Sequence, residues 1–207
     1  TQHTTYNNIK VDTMAWPRLG NSIPARQQPL RKLIGRTVLK VLGWKLEGAL
    51  PDEPKFIVVA LPHSSNLDFV LALSVIWGWG LKVNFMAKHT LFKFPQGLFF
   101  KSVGGIPVDR RSSQGLVGRL TEEFTRRKQL ILGIAPEGSR NTDGSLKEGF
   151  ARIAQAARVP VLPAIINHQQ RTIRIGEVIK EVSDIAGVIA SVKEQALTGA
   201  RKAPFKL

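Results

Sequence analysis

The chain has 207 residues, 43% of them hydrophobic, which suits one domain with its own core and excludes disorder throughout. Lys and Arg number 30 against 15 Asp and Glu, and a net charge of +15 implies an anionic partner: nucleic acid, anionic lipid or a phosphorylated substrate. Cysteine is absent, so there is no disulfide framework, no thiolate metal site and no cysteine nucleophile, as fits a reducing compartment.

Residues 1–28 are polar, with Pro17 and Pro24, and read as a flexible or irregular arm; their first ten residues lack the apolar core of a secretory signal. From Pro29 the pattern turns helical. Leu30, Leu33, Ile34, Val38, Val41 and Leu42 recur at helical spacing, with Arg31, Lys32, Arg36 and Lys40 between them. Pro29 suits a first helical position and Gly43 a helix end. This basic amphipathic helix, residues 29–43, has two readings. It packs on the core with a solvated basic face, or it lies in a membrane interface with its cations toward anionic headgroups.

A turn region with a short strand at its start follows. Residues 56–61 are an apolar, β-branched run that reads as a buried strand, stopped by Pro62. His63 then stands at the carboxyl end of that strand. Asp68 falls in the first turn of the helix over residues 69–81, where a carboxylate also favours the helix dipole. That helix is too short to cross a bilayer, which needs about 20 apolar residues. A His followed five residues later by an Asp is common by chance, and the setting is what gives it weight. Ligands of open α/β sheets collect at the carboxyl ends of strands. An Asp folded back by a helical turn can orient an imidazole and leave its Nε2 free to accept a proton.

Residues 83–87 read as the next strand, followed by a basic and aromatic turn or short helix from Lys88 to Pro95. Ile106, Pro107 and Val108 make a short strand ending in Asp109, Arg110 and Arg111; arginine's planar fork matches phosphate geometry. Ser112 or Ser113 would cap a helix running to about Lys128. Residues 129–135 form another strand, ending in Pro136, Glu137, Gly138, Ser139 and Arg140. A small-residue helix from Gly149, a strand over 159–166, an antiparallel edge strand from Thr172 and a final helix over 182–197 complete the chain. The alternation predicts a single α/β domain, a largely parallel sheet flanked by helices, with the basic amphipathic helix at its N-terminal side. The domain spans 29–207, with its motif-bearing core at about 56–166.

Four stretches stand in one order: His63 to Asp68; Gly105-Ile106-Pro107-Val108-Asp109-Arg110; Pro136-Glu137-Gly138-Ser139-Arg140; and Val159-Pro160-Val161-Leu162-Pro163. The set resembles the four motifs of the glycerolipid acyltransferase family, which includes lysophosphatidate and glycerol-3-phosphate acyltransferases. The resemblance covers about Ala60 to Ala164. It implies that His63 is the general base for the acceptor hydroxyl and that Asp68 orients it and stabilises the imidazolium. The hydroxyl then attacks an acyl thioester with no covalent acyl-enzyme. Arg110, Glu137, Gly138, Ser139 and Arg140 would hold the acceptor's phosphate and glycerol, with Lys88 a further phosphate candidate. Pro160 and Pro163 would shape the donor wall or the strand edge. No cofactor or metal is implied, acyl-CoA or acyl carrier protein being a co-substrate. The implied partners are an anionic membrane surface, a lysophospholipid or glycerol-phosphate acceptor and an acyl thioester donor, with no nucleic acid. The implied place is the cytoplasmic inner face of a membrane. Ala135 stands where many members carry an aromatic, Ser139 where Thr is usual, and Pro107 where a β-branched residue is usual.

Two other readings compete. A non-catalytic basic lipid- or nucleic-acid-binding protein accounts for the charge but has no need of His63 and Asp68 together. A serine hydrolase would need a Gly-x-Ser-x-Gly elbow, which the sequence lacks.

Overall fold

Strand and helix alternate along the chain: α1 (Pro29–Val41), β1 (Lys45–Glu47), β2 (Lys55–Leu61), α2 (Asn66–Trp79), β3 (Val83–Lys88), α3 (Gln96–Ser102), β4 (Gly105–Val108), α4 (Leu116–Arg126), β5 (Leu130–Ile134), α5 (Gly149–Ala157), β6 (Val161–Asn167), β7 (Thr172–Ile175) and α6 (Ile185–Gly199). A 3-10 turn, His89–Phe92, follows β3. The computed structural model describes residues 16–63, 65–108, 115–137 and 145–199.

The seven strands form one sheet in the order β1-β7-β6-β2-β5-β3-β4. All neighbours are parallel except β6 and β7. The central strand β2 is covered on both faces, which is why its sequence is a continuous apolar run rather than an alternation. One face packs Ile57, Val59, Leu61, Leu132 and Phe150 against α4, α5 and α6. The other packs Phe56, Ile131, Leu162 and Ile173 against α2 and, beyond it, Leu39 of α1.

Several expectations need correction. The antiparallel strand β7 is not an edge, because β1 pairs outside it, Leu46 opposite Ile173. Residues 96–102 form a helix that their Gly- and Phe-rich sequence does not announce. The helix α4 has Gly115, at φ 81°, as its N-cap, whereas Ser112 and Ser113 lie outside the described residues. The part of the polar arm that is described, residues 16–28, is irregular but packed. Ile23 is buried, the Trp16 ring meets the Trp79 ring edge-on, and Trp79 Nε1 donates to the Pro17 carbonyl. The Trp16 indole and Ile23 find more apolar area against α2 than in water, and that holds an otherwise polar segment down.

The helix α1 turns its apolar residues the unexpected way. Its contact face is Gly35 and Leu39, the two residues it buries. A Cβ at Gly35 would lie 2.7 Å from the Gly78 backbone nitrogen, so only glycine lets α1 and α2 approach this closely. Leu30, Leu33, Ile34 and Val41 point outward and remain exposed. Their spacing of three, four and seven puts them on one stripe, away from the core.

Candidate active site

Strand register alone gathers the site. Val59 of β2 lies opposite Ile134 of β5, so the residues that follow, His63 and Glu137, leave the sheet side by side. Phe85 of β3 lies opposite Gly133, which brings Lys88 to the same edge. Ala60 lies opposite Ala164 of β6, which brings the turn after Asn167 there too. Arg110, Gly138, Ser139 and Arg140, the other acceptor-binding candidates, lie outside the described residues.

His63 is half-buried, and its backbone N–H donates to Glu137 Oε1 at 3.0 Å. This bond ties the β2 loop to the β5 loop. Glu137 is itself buried, and its other oxygen, Oε2, has no hydrogen-bond partner among the described residues. Burial pushes the Glu137 carboxyl above the ordinary range, and the nearby Asp68 charge pushes the same way, against the backbone N–H bonds that favour the ionised form.

Asp68 is fully buried at the start of α2. Its Oδ2 accepts the Ser65 N–H at 2.7 Å, closing the first turn in the manner of a capping box. Its Oδ1 lies 2.7 Å from Nε2 of His168. His168 is absent from the sequence reading. A signal for it existed: it follows a buried strand at its carboxyl end, as His63 does, just beyond the last of the four family motifs.

Between α2 and the sheet lies a cavity of about 620 Å³, within the range of roughly 300–1,000 Å³ usual for ligand pockets. It exists because side chains facing α2 shrink toward the carboxyl edge. Phe56, Val58 and Ala60 do so along β2, and Gly133 of β5, Ala135 just beyond it and Ala87 of β3 are small at the same edge. Period-two alternation puts each set on one face, so small residues in adjacent strands leave a common void. Phe69, Leu73 and Trp79 of α2 roof it. Its lining is apolar except at the strand ends, where His63, Asn66, Lys88 and Glu137 meet it. The arrangement thus sets an imidazole at the mouth of an apolar cavity, beside a buried carboxyl and a cation. No cluster of metal-ligating side chains occurs among the described residues.

Three similarities to known proteins agree with this geometry. The family model described as Acyltransferase matches residues 45–167. A 1-acyl-sn-glycerol-3-phosphate acyltransferase of Bacillus subtilis (strain 168) is 33% identical over 118 residues, which make up 56% of this chain and 57% of that protein. The chain therefore matches little more than half the length of that relative. The crystal structure of the 1-acyl-sn-glycerophosphate (LPA) acyltransferase PlsC from Thermotoga maritima is similar with a TM-score of 0.63. That match covers 86% of this chain and 80% of the other at 22% identity, a likeness of fold.

Proposed function

The chain belongs to the acyltransferase family, and we propose that it moves a fatty acyl group from an acyl thioester to the hydroxyl of a 1-acylglycerol 3-phosphate or a closely related lysophospholipid or glycerol phosphate. The observation that carries this reading is His63 at the mouth of the apolar cavity. A cavity of that size and lining suits a fatty chain, and a strand-end imidazole suits deprotonation of a hydroxyl brought to its opening. The relative from Bacillus subtilis bears the name of this activity.

In this reading the acceptor hydroxyl gives its proton to His63 as its oxygen attacks the thioester carbonyl. The new O–C bond forms, the C–S bond breaks, and the imidazolium returns the proton to the leaving thiolate. Asp68 orients the ring and offsets the charge it carries in between. General base work of this kind typically contributes about a hundred- to ten-thousand-fold. Glu137 Oε2 and the Lys88 ammonium supply an acceptor and a cation for the glycerol and phosphate of the acceptor lipid. Arg110, Gly138, Ser139 and Arg140 keep their proposed phosphate and glycerol roles by resemblance. The acyl donor is coenzyme A- or carrier-protein-linked.

The protein meets its lipid substrate at a membrane surface through α1. No helix among the described residues is long and apolar enough to cross a membrane. The exposed stripe on α1, with Arg31 and Lys40 on either side of it, suits contact from one face of the bilayer.

The test is acyl transfer by the purified protein from labelled acyl-CoA, then from acyl carrier protein, to a panel of lysophospholipids and glycerol 3-phosphate. Transfer to a phosphate-bearing acceptor that disappears in His63→Ala is the expected result. A folded His63→Ala variant with wild-type transfer would sink the mechanism. No transfer from either donor, with vesicle binding retained, would favour a non-catalytic lipid-binding protein.

A further inference from the structure

We propose that His168 is a positioning residue for acyl transfer, holding the Asp68 carboxylate correctly turned toward its work on His63; this rests on the base assignment above. Asp68 has no exposed surface. A carboxylate so buried needs hydrogen-bond donors in place of the water it has lost. Two donors are in place on opposite oxygens. Ser65 gives its backbone N–H to Oδ2, and His168 Nε2 meets Oδ1, both at 2.7 Å. In the His168 tautomer that carries its proton on Nε2, the ring donates to Oδ1. Held at both oxygens, the carboxylate plane cannot swing.

The imidazole is held for this task from several sides. It stands edge-on against the Trp44 indole, with ring centres 5.2 Å apart and planes at 89°, and Trp44 is itself buried. The turn that carries it is pinned by Asn167, a buried polar residue. Asn167 Oδ1 accepts the Gln170 N–H at 2.9 Å, and its Nδ2 reaches the Gly199 carbonyl at the end of α6 at 3.4 Å. Farther along the same turn, the Arg171 carbonyl accepts the Lys45 N–H at 2.8 Å. The end of β6, the entry to β1 and the end of α6 thus converge to place one ring nitrogen on a carboxylate 100 residues away in sequence. Support of that kind is what fixes a catalytic group's orientation, and loss of it is felt in turnover.

The experiment compares His168→Phe, which keeps a ring against Trp44 and deletes the N–H, with His168→Gln, which keeps an N–H donor on a side chain of similar reach. Both are measured for kcat and acceptor KM, with thermal melts to verify folding, alone and in an Asp68→Asn background. The expected result is a loss of about tenfold in kcat for His168→Phe with KM within about twofold, and recovery of most of it by His168→Gln. In Asp68→Asn, adding His168→Phe costs nothing further, because the two residues act as one unit. An unchanged kcat, equal losses from Phe and Gln, or a full additional loss in the Asp68→Asn background would each overturn the proposal. The Phe and Gln pair decides alone if Asp68→Asn turns over too slowly to measure. His63→Ala run alongside separates the two readings. If it is active, the base assignment falls and His168 falls with it; if it is dead while the cycle is additive, only the role of His168 falls.

Discussion

Replacing Leu30 and Leu33 together by Ser should release the protein from membranes without unfolding it. The two side chains are 69% and 63% exposed, on the outward stripe of α1. Full burial of a leucine is worth about 2 kcal/mol, so they retain roughly 1.4 and 1.3 kcal/mol to gain in a bilayer interface. Their sum is about a hundredfold in partition coefficient at about 1.4 kcal/mol per decade. The cations of the helix add about 1 kcal/mol each near an anionic surface, a contribution that salt screens. Sedimentation with vesicles of anionic and zwitterionic lipid measures both parts. The double variant should pellet about a hundredfold less well at equal salt, with an unchanged thermal melt. Leu39→Ser, at the buried face of the same helix, should instead lower the melting temperature. A double variant that pellets like the wild type would show that the stripe is not the membrane contact.

Three further expectations follow from the packing. Gly133→Leu puts a side chain into the cavity, its Cβ beginning 3.5 Å from Phe85 Cβ. Transfer from long-chain donors should fall at least about tenfold relative to short-chain donors, and an unaltered chain-length profile would show that the acyl chain lies elsewhere. Gly35→Val forces α1 off the backbone of α2 and should cost about 2 kcal/mol or more in a denaturant melt, overpacking against immovable atoms; an unchanged midpoint would mean the two helices separate freely. Glu137→Gln should act through pH. Burial holds the folded carboxyl above its ordinary 4.5, so the stability this proton brings is complete below about 4.5 and is lost as pH rises through the raised folded value. Glutamine never ionises. The variant should therefore melt above the wild type at neutral pH and match it near pH 4, and a difference independent of pH would refute the assignment.

The bond between His168 and Asp68 joins residues that no local pattern connects. Asp68 was legible because helix entry is a local matter: a polar cap, an acid in the first turn and an apolar run behind it. His63 was legible because a strand that ends in Pro is a local matter too. The four motifs in order carried the family, and the central strands stood out as apolar runs. The orientation of α1 was not legible. Its apolar residues recur at helical spacing whichever face meets the core, and the choice was made by Gly35 and Leu39, where α1 lies against the α2 backbone. Nor was the edge of the sheet legible, since β1 is three residues long and joins only because β7 offers it an open side.

The sequence by itself determined the alternation of strand and helix, the buried central strands and the strand-end placement of His63, Lys88 and Glu137. Each depends on neighbours within a few residues, through periodicity, turn chemistry and capping. Only the tertiary structure decided that the small residues Ala60, Gly133 and Ala135 share one void, that α1 shows Leu30 and Leu33 to solvent while burying Leu39, and that His168 reaches Asp68. These depend on which strand lies beside which and in what register. That choice is made by long-range packing, where a shift of one residue turns every side chain of a strand to the opposite face.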